Sequence, residues 1–177
     1  AGLNSTGNQN TFIGYKAGLT NSTGSSNTAI GRMAGYLNST GLQNTMIGLQ
    51  AGYNNLADNN TFIGFNAGFN NTGSASATGT LNVCVGFQSG LGNTTGNGNV
   101  TLGVQNIVAD PAWIDLTNIG NYNTCIGYQS GLALNDGSYN VYMGYQAGAY
   151  VTKSAASNNV AIGNQAGTNL STGALNV

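Results

Sequence analysis

The sequence contains no histidine and no glutamate, and its 177 residues include only three Lys or Arg and four Asp. Histidine and carboxylates are the usual general acids and bases, so we do not expect an enzyme, and we expect neither a metal nor a cofactor. The net charge of −1 leaves no basic patch to neutralise phosphates, which argues against nucleic-acid binding. No apolar run approaches the ~20 residues that span a bilayer, so we expect no membrane insertion of this segment.

Proline occurs once, whereas glycine occurs 29 times. A chain this rich in Gly, Asn, Ser and Thr has the composition of many disordered segments, but disorder goes with few aromatic residues and a high net charge. Here nine Tyr and five Phe are present, and they recur at regular positions. We therefore expect an ordered structure.

A five-residue phrase recurs nine times: Asn, then Thr or Val, one variable residue, an aliphatic residue and Gly. Its copies begin at Asn10, Asn27, Asn44, Asn60, Asn82, Asn99, Asn123, Asn140 and Asn159, and a tenth begins at Asn176. Most copies lie 17 residues apart, and a fixed period of this length indicates stacked repeats. We predict a single repeat array over residues 1–177, about ten turns truncated at both ends, with insertions near 74–80, 107–118 and 150–157.

The second and fourth positions of the phrase are β-branched or aliphatic in every copy, as a β-strand favours. The second position holds Thr11, Thr28, Thr45, Thr61, Val83, Val100, Thr124, Val141 and Val160. The fourth holds Ile13, Ile30, Ile47, Ile63, Val85, Leu102, Ile126, Met143 and Ile162. Alternate residues of a strand share a face, so we assign these two positions to the inside of a coil.

The third position then faces outward, yet it is mostly apolar as well. It holds Phe12, Ala29, Met46, Phe62, Cys84, Thr101, Cys125, Tyr142 and Ala161. Strands that are apolar on both faces are buried on both. We therefore predict a parallel homo-oligomer, and we place its interface on this column, Thr101 excepted.

The predicted fold is all-β, a parallel β-roll or β-solenoid with ~17-residue turns. Seventeen residues suit two short strands and two corners, with the Ala-Gly that follows most strands forming one corner. The Asn that opens each phrase is invariant, and stacked strands can carry ladders of such amides. We expect an Asn ladder along the coil.

The phrases Asn-Thr-Ala-Ile-Gly at 27–31 and Asn-Val-Ala-Ile-Gly at 159–163 resemble the head repeats of trimeric autotransporter adhesins of the YadA type. With Asn-Thr-Thr-Gly at 93–96, they are also similar to the 17-residue repeats of phage-type tail fibres. The resemblance covers nearly the whole chain. It implies a left-handed coil, three chains around one axis and an extracellular location on a cell surface or virion.

Two cysteines, Cys84 and Cys125, share the third position in copies five and seven. With one turn between them they lie beyond the ~7 Å Cα separation that a disulfide allows, so we expect no bridge within a chain. We interpret them as small apolar interface residues, with an interchain bond as the alternative.

The insertion at 107–118 contains the only Pro and the only Trp. Insertions in solenoids map to loops, often on a binding face, so Trp113 with Asp110 and Asp115 is a candidate ligand site. In the alternative interpretation, Trp113 seals a gap against a neighbouring chain.

Two functions are consistent with these patterns. The first is a structural shaft or head segment of an extracellular trimeric fibre that supports attachment to a cell or surface, through a host glycan or protein receptor. The second is a glycan- or ice-binding module. Ice binding requires an exposed Thr array, and we expect the Thr column to be buried.

Overall fold

A computed structural model describes residues 5–73, 78–107, 120–132, 134, 136–149 and 156–170. Within these ranges the chain forms nine short strands, and their order in the sheet follows their order in the sequence. They are β1 (Thr11–Ile13), β2 (Thr28–Ile30), β3 (Thr45–Ile47), β4 (Thr61–Ile63), β5 (Val83–Val85), β6 (Val100–Val104), β7 (Thr124–Tyr128), β8 (Val141–Met143) and β9 (Val160–Ile162).

All nine strands pair in parallel and in register, so each strand position forms a column along the sheet. The register survives unequal turn lengths: Thr61 still pairs with Val83, and Val100 with Thr124. The longer turns therefore do not interrupt the pairing of the strands that they connect. The predicted all-β parallel repeat fold is confirmed, and each rung of the coil contributes one strand.

The rest of each turn is also stacked, but as turns and not as a second strand in the described residues. The N–H of Gly18 donates to the carbonyl of Ala34, and that of Gly35 to the carbonyl of Ala51, both at 2.9 Å. Left-handed backbone at Lys16 (φ 56°) and Gly18 (φ 56°) bends the chain twice within three residues. Because extended backbone cannot contain such residues, the expectation of two strands per turn is wrong here.

The third-position column lies inside the coil of a single chain. Its fully buried members, each 0% exposed, are Ala29, Met46, Phe62, Cys84, Cys125 and Tyr142; Ala161 is also buried, and Phe12 packs against the same core. The assignment of this column to an interface between chains is therefore wrong. Apart from the half-buried Phe12, these side chains are covered by their own chain.

The residues of the corners, which are Ala and Gly in most rungs, cover this column. A Cβ on Gly18 would lie 2.6 Å from Cε1 of Phe12, and one on Gly35 would lie 2.7 Å from Cε of Met46. Ala17, Ala34, Ala51 and Ala67 belong to the same buried cluster. In the apolar interior, the variable third-position side chain of each rung thus packs mainly against Ala and Gly residues of the corners.

The predicted Asn ladder is present. Each leading Asn accepts, through Oδ1, the backbone N–H of the leading Asn in the next rung, from Asn10 to Asn159, at 2.8–3.0 Å. The amide nitrogens of these residues donate mainly to turn carbonyls, such as Asn27 to Gly41 at 2.7 Å. Because buried amides are costly unless paired, this ladder fixes the rung register.

Candidate functional site

The second and fourth strand positions point outward, opposite to the sequence-based assignment. Their side chains are half-buried or exposed along the whole sheet, as the burial patterns of β2 (Thr28–Ile30) and β3 (Thr45–Ile47) show around a fully buried centre. The Thr column is therefore on the surface, and the expectation of its burial is wrong. An apolar column of Ile, Val, Leu and Met runs beside it.

A third column joins these two. In β6 and β7, Val104 and Tyr128 are paired and stand two residues beyond the fourth position, so they share its face. The corresponding residues in the nine rungs are Tyr15, Arg32, Leu49, Phe65, Phe87, Val104, Tyr128, Tyr145 and Asn164. Rings of neighbouring rungs stack, with centroids 5.1 Å apart for Phe65–Phe87 and 5.4 Å for Tyr128–Tyr145. We call the three columns together the outer band.

The outer band is a large apolar surface. Its exposed apolar members range from 36% at Leu49 to 66% at Ile162. An aromatic side chain has about 150–250 Å² of surface, so the five aromatic members present on the order of 500 Å². The exposed aliphatic members add about as much again. The largest patch on a typical monomer is about 300–600 Å², and a standard interface covers about 800 Å² per partner.

Charge is nearly absent from the outer band. Arg32 is its one charged member in the described rungs, and its guanidinium lies 6.0 Å from the ring centroid of Tyr15. The adjacent column carries Lys16, whose Nζ lies 5.3 Å from the same centroid, and then a ladder of Gln amides. A surface of this type favours contact with another uncharged surface.

The two cysteines lie inside the coil, away from the outer band. Burial raises the pKa of the Cys84 thiol from 9.0 to about 12, against a smaller opposing effect of its hydrogen bond with Thr101. Burial, with a smaller contribution from Cys84, also raises the pKa of Cys125. Both are free thiols, as predicted for a single chain, but they are interior residues and not interface residues. Their burial also removes the basis for an interchain bond.

The other predicted site residues, Asp110, Trp113 and Asp115, lie outside the described residues, as does most of each insertion. Of the 107–118 segment, Ile107 alone is described, and it is a buried core residue. The described ranges contain no group of three or more Cys or Asp that could hold a metal ion. They also contain no helix long and apolar enough to cross a membrane.

Comparison with protein-family models, curated proteins and solved structures gives no match. The class is therefore defined by the geometry: a parallel, in-register β-solenoid with a filled interior and an exposed apolar band along one side.

Proposed function

We propose that this chain is a structural segment of an extracellular fibre, in which three parallel copies pack their outer bands together around one axis. The observation that carries the proposal is the outer band itself. Its apolar surface is larger than a soluble monomer normally exposes. Its columns are in register, so an identical coil can lie along it with the same rung spacing.

The rest of the chain supports a mechanical role. Nine stacked rungs, at about 4.8 Å per rung, give a rod with a sheet length of about 40 Å. Ladders of Asn, Gln and aromatic side chains link successive rungs. In our proposal such a rod holds a receptor-binding part of an adhesin or tail fibre away from the surface that carries it. The left-handed coil and the trimer are parts of the proposal that rest on the resemblance of the repeats.

The mass in solution tests this proposal. At micromolar concentration we expect light scattering to give three chains per particle. Ile30→Asp with Ile47→Asp places carboxylates in the outer band of adjacent rungs, where Arg32 can pair with at most one of them and a trimer buries the other without a partner. This variant should be monomeric with an unchanged circular dichroism spectrum, because both side chains are partly exposed in one chain.

The matched control places the same charges elsewhere. Thr23→Asp with Thr40→Asp changes exposed turn residues of the same two rungs and should stay trimeric. A monomeric wild-type chain, or a trimer that survives the outer-band carboxylates, would contradict the proposal.

The exposed Thr column favours ice binding as a second candidate function. Thr11, Thr28, Thr45 and Thr61 form an unbroken outward row in the first four rungs, with an Ile column beside it. Regular hydroxyl and methyl groups on a rigid sheet present water with a repeating surface. From the fifth rung the row continues as Val83 and Val100, so this hypothesis concerns β1 to β4.

On this second hypothesis the wild-type chain produces thermal hysteresis, and Thr28→Val with Thr45→Val reduces it. Val already occupies this column in β5 and β6, so the substitutions keep the fold. Absence of hysteresis in a monomeric wild-type chain would exclude ice binding.

A further inference from the structure

A second surface lies next to the outer band, at the residue that precedes each leading Asn. The backbone there is left-handed in every rung, with φ between 57° and 62°. Asn and Gly adopt this conformation most readily, and they occupy it at Asn59, Gly98 and Asn158. Rungs seven and eight carry Tyr122 and Tyr139 instead.

These two tyrosines are exposed and stacked. Tyr122 is 52% and Tyr139 is 59% exposed, and their ring centroids are 5.3 Å apart with planes 17° apart. Gly98 lies directly beside the Tyr122 ring, since a Cβ there would approach Cδ1 at 2.6 Å. Stacking within the chain therefore uses only part of each ring, and about half of each side chain stays open to water at a backbone position that is costly for a tyrosine.

Two amide side chains with fixed oxygens, Asn97 and Asn121, belong to residues that are hydrogen-bonded to the tyrosines through the backbone. Oδ1 of Asn97 accepts the backbone N–H of Thr80, and Oδ1 of Asn121 accepts that of Asn97, each at 2.8 Å. With the oxygens held, the two Nδ2 groups donate to no atom of the described chain. Each asparagine is linked to a tyrosine of the next rung through the backbone. The N–H of Tyr122 donates to the carbonyl of Asn97, and that of Tyr139 donates to the carbonyl of Asn121.

We propose that Tyr122 and Tyr139, with the amides of Asn97 and Asn121, form a binding site for a neutral polysaccharide. Phenol rings supply apolar surface for the C–H faces of sugar rings, and they also carry hydroxyl groups. The oriented amides donate to sugar hydroxyls. No charged residue belongs to this group of side chains, which favours a neutral glycan over an acidic one. The site does not depend on the number of chains in the fibre.

Affinity electrophoresis of the full chain tests the site, with gels that contain a β-glucan, a mannan, a galactan or a polymer of N-acetylglucosamine. We expect at least one of these neutral polymers to retard the chain. About 0.5 M salt, which shortens the Debye length to about 4 Å and so screens charge interactions, should not change this retardation. Tyr122→Asn with Tyr139→Asn should weaken binding roughly fivefold or more, by loss of the ring contacts. Asn suits the left-handed backbone, so the fold is expected to persist.

Leu81→Asn is the matched control, because Leu81 occupies the same column at φ 60° and is also exposed, at 59%. It should bind like the wild type. Failure of all four polymers to retard the chain would overturn the proposal, as would tyrosine variants that bind normally. Tyrosine variants that change the mass in solution instead would show that a second copy covers the rings, and would also overturn it.

Discussion

Gly48→Ala is expected to unfold the middle of the coil, because the next rung leaves no space for a side chain at this glycine. A Cβ on Gly48 would lie 2.7 Å from the carbonyl carbon of Gly64 in the next rung and closer still to its oxygen. The backbone there, at φ 136°, is accessible almost only to glycine, which costs roughly 1–3 kcal/mol for alanine. The collision adds about 1–3 kcal/mol of overpacking.

Gly163→Ala is the matched control, since it has nearly the same φ, 130°, without the collision. Its Cβ would meet no described atom nearer than the Cβ of Ala166, at 4.0 Å. Urea unfolding should therefore show a clearly larger loss of stability for Gly48→Ala. Hydrogen exchange should place the added opening in β3 and β4. Equal effects of the two substitutions would mean that backbone strain alone, without the rung contact, makes glycine necessary.

Alkaline pH is expected to destabilise the fold by several kcal/mol, through three acids that are neutral in the interior. Burial raises the pKa of Cys84 from 9.0 to about 12 and that of Tyr142 from 10.0 to about 12, and it also raises the pKa of Cys125. A raised native pKa contributes stability that is complete below the unfolded pKa and is lost as pH rises towards the native one. At pH 11 the Cys84 thiol therefore costs about 3 kcal/mol and the Tyr142 phenol about 1 kcal/mol, and Cys125 adds to the loss in the same direction.

The free energy of unfolding in urea, measured from pH 8 to pH 11, tests this expectation. The wild type should lose at least about 4 kcal/mol over this range, most of it above pH 9. Cys84→Ala with Cys125→Ala should remove most of the slope, and alanine already fills this column at Ala29 and Ala161. A wild-type stability that stays constant up to pH 11 would show that the thiols are not enclosed as described.

Much of the fold is predictable from the sequence because the repeat specifies local structure directly. The β-branched second position and the aliphatic fourth position predict the strands, and every strand begins and ends at the predicted columns or just beyond. The invariant leading Asn predicts the amide ladder. Unequal spacings between copies predict insertions, and in the structure Thr61 still pairs with Val83 across the 22-residue spacing.

The alternation of residues along a strand does not predict which face of the strand points into the coil. Both faces are apolar here, and exchanging inside and outside leaves the period-two pattern unchanged. The decisive signal lies in the corner. Gly18 and its equivalents have to be small because the third-position side chain packs on them, which identifies that column as the interior. Because the sequence-based assignment exchanged the two faces, it placed the interface on Met46 and Phe62, although the outer band carries the exposed apolar surface.

The second strand that was expected in each turn fails for a related reason. Lys16 and its equivalents are mostly Gln, a residue type that does not indicate a left-handed backbone. The stacking of rungs imposes that conformation. The unusual position of Tyr122 and Tyr139 is not predictable from the sequence for the same reason. Their left-handed backbone, which favours Asn or Gly, is known only from the structure of the coil.

The in-register sheet tolerates added residues between Asn60 and Asn82 and again between Asn99 and Asn123 without a change of pitch. Each rung is held by its immediate neighbours, so a peptide grafted between positions 73 and 78 would project sideways while the rungs on either side remain paired. Epitopes inserted at several rungs would be displayed at spacings set by multiples of the interstrand distance. The coil could thus serve as a scaffold that holds ligands at defined distances along its axis.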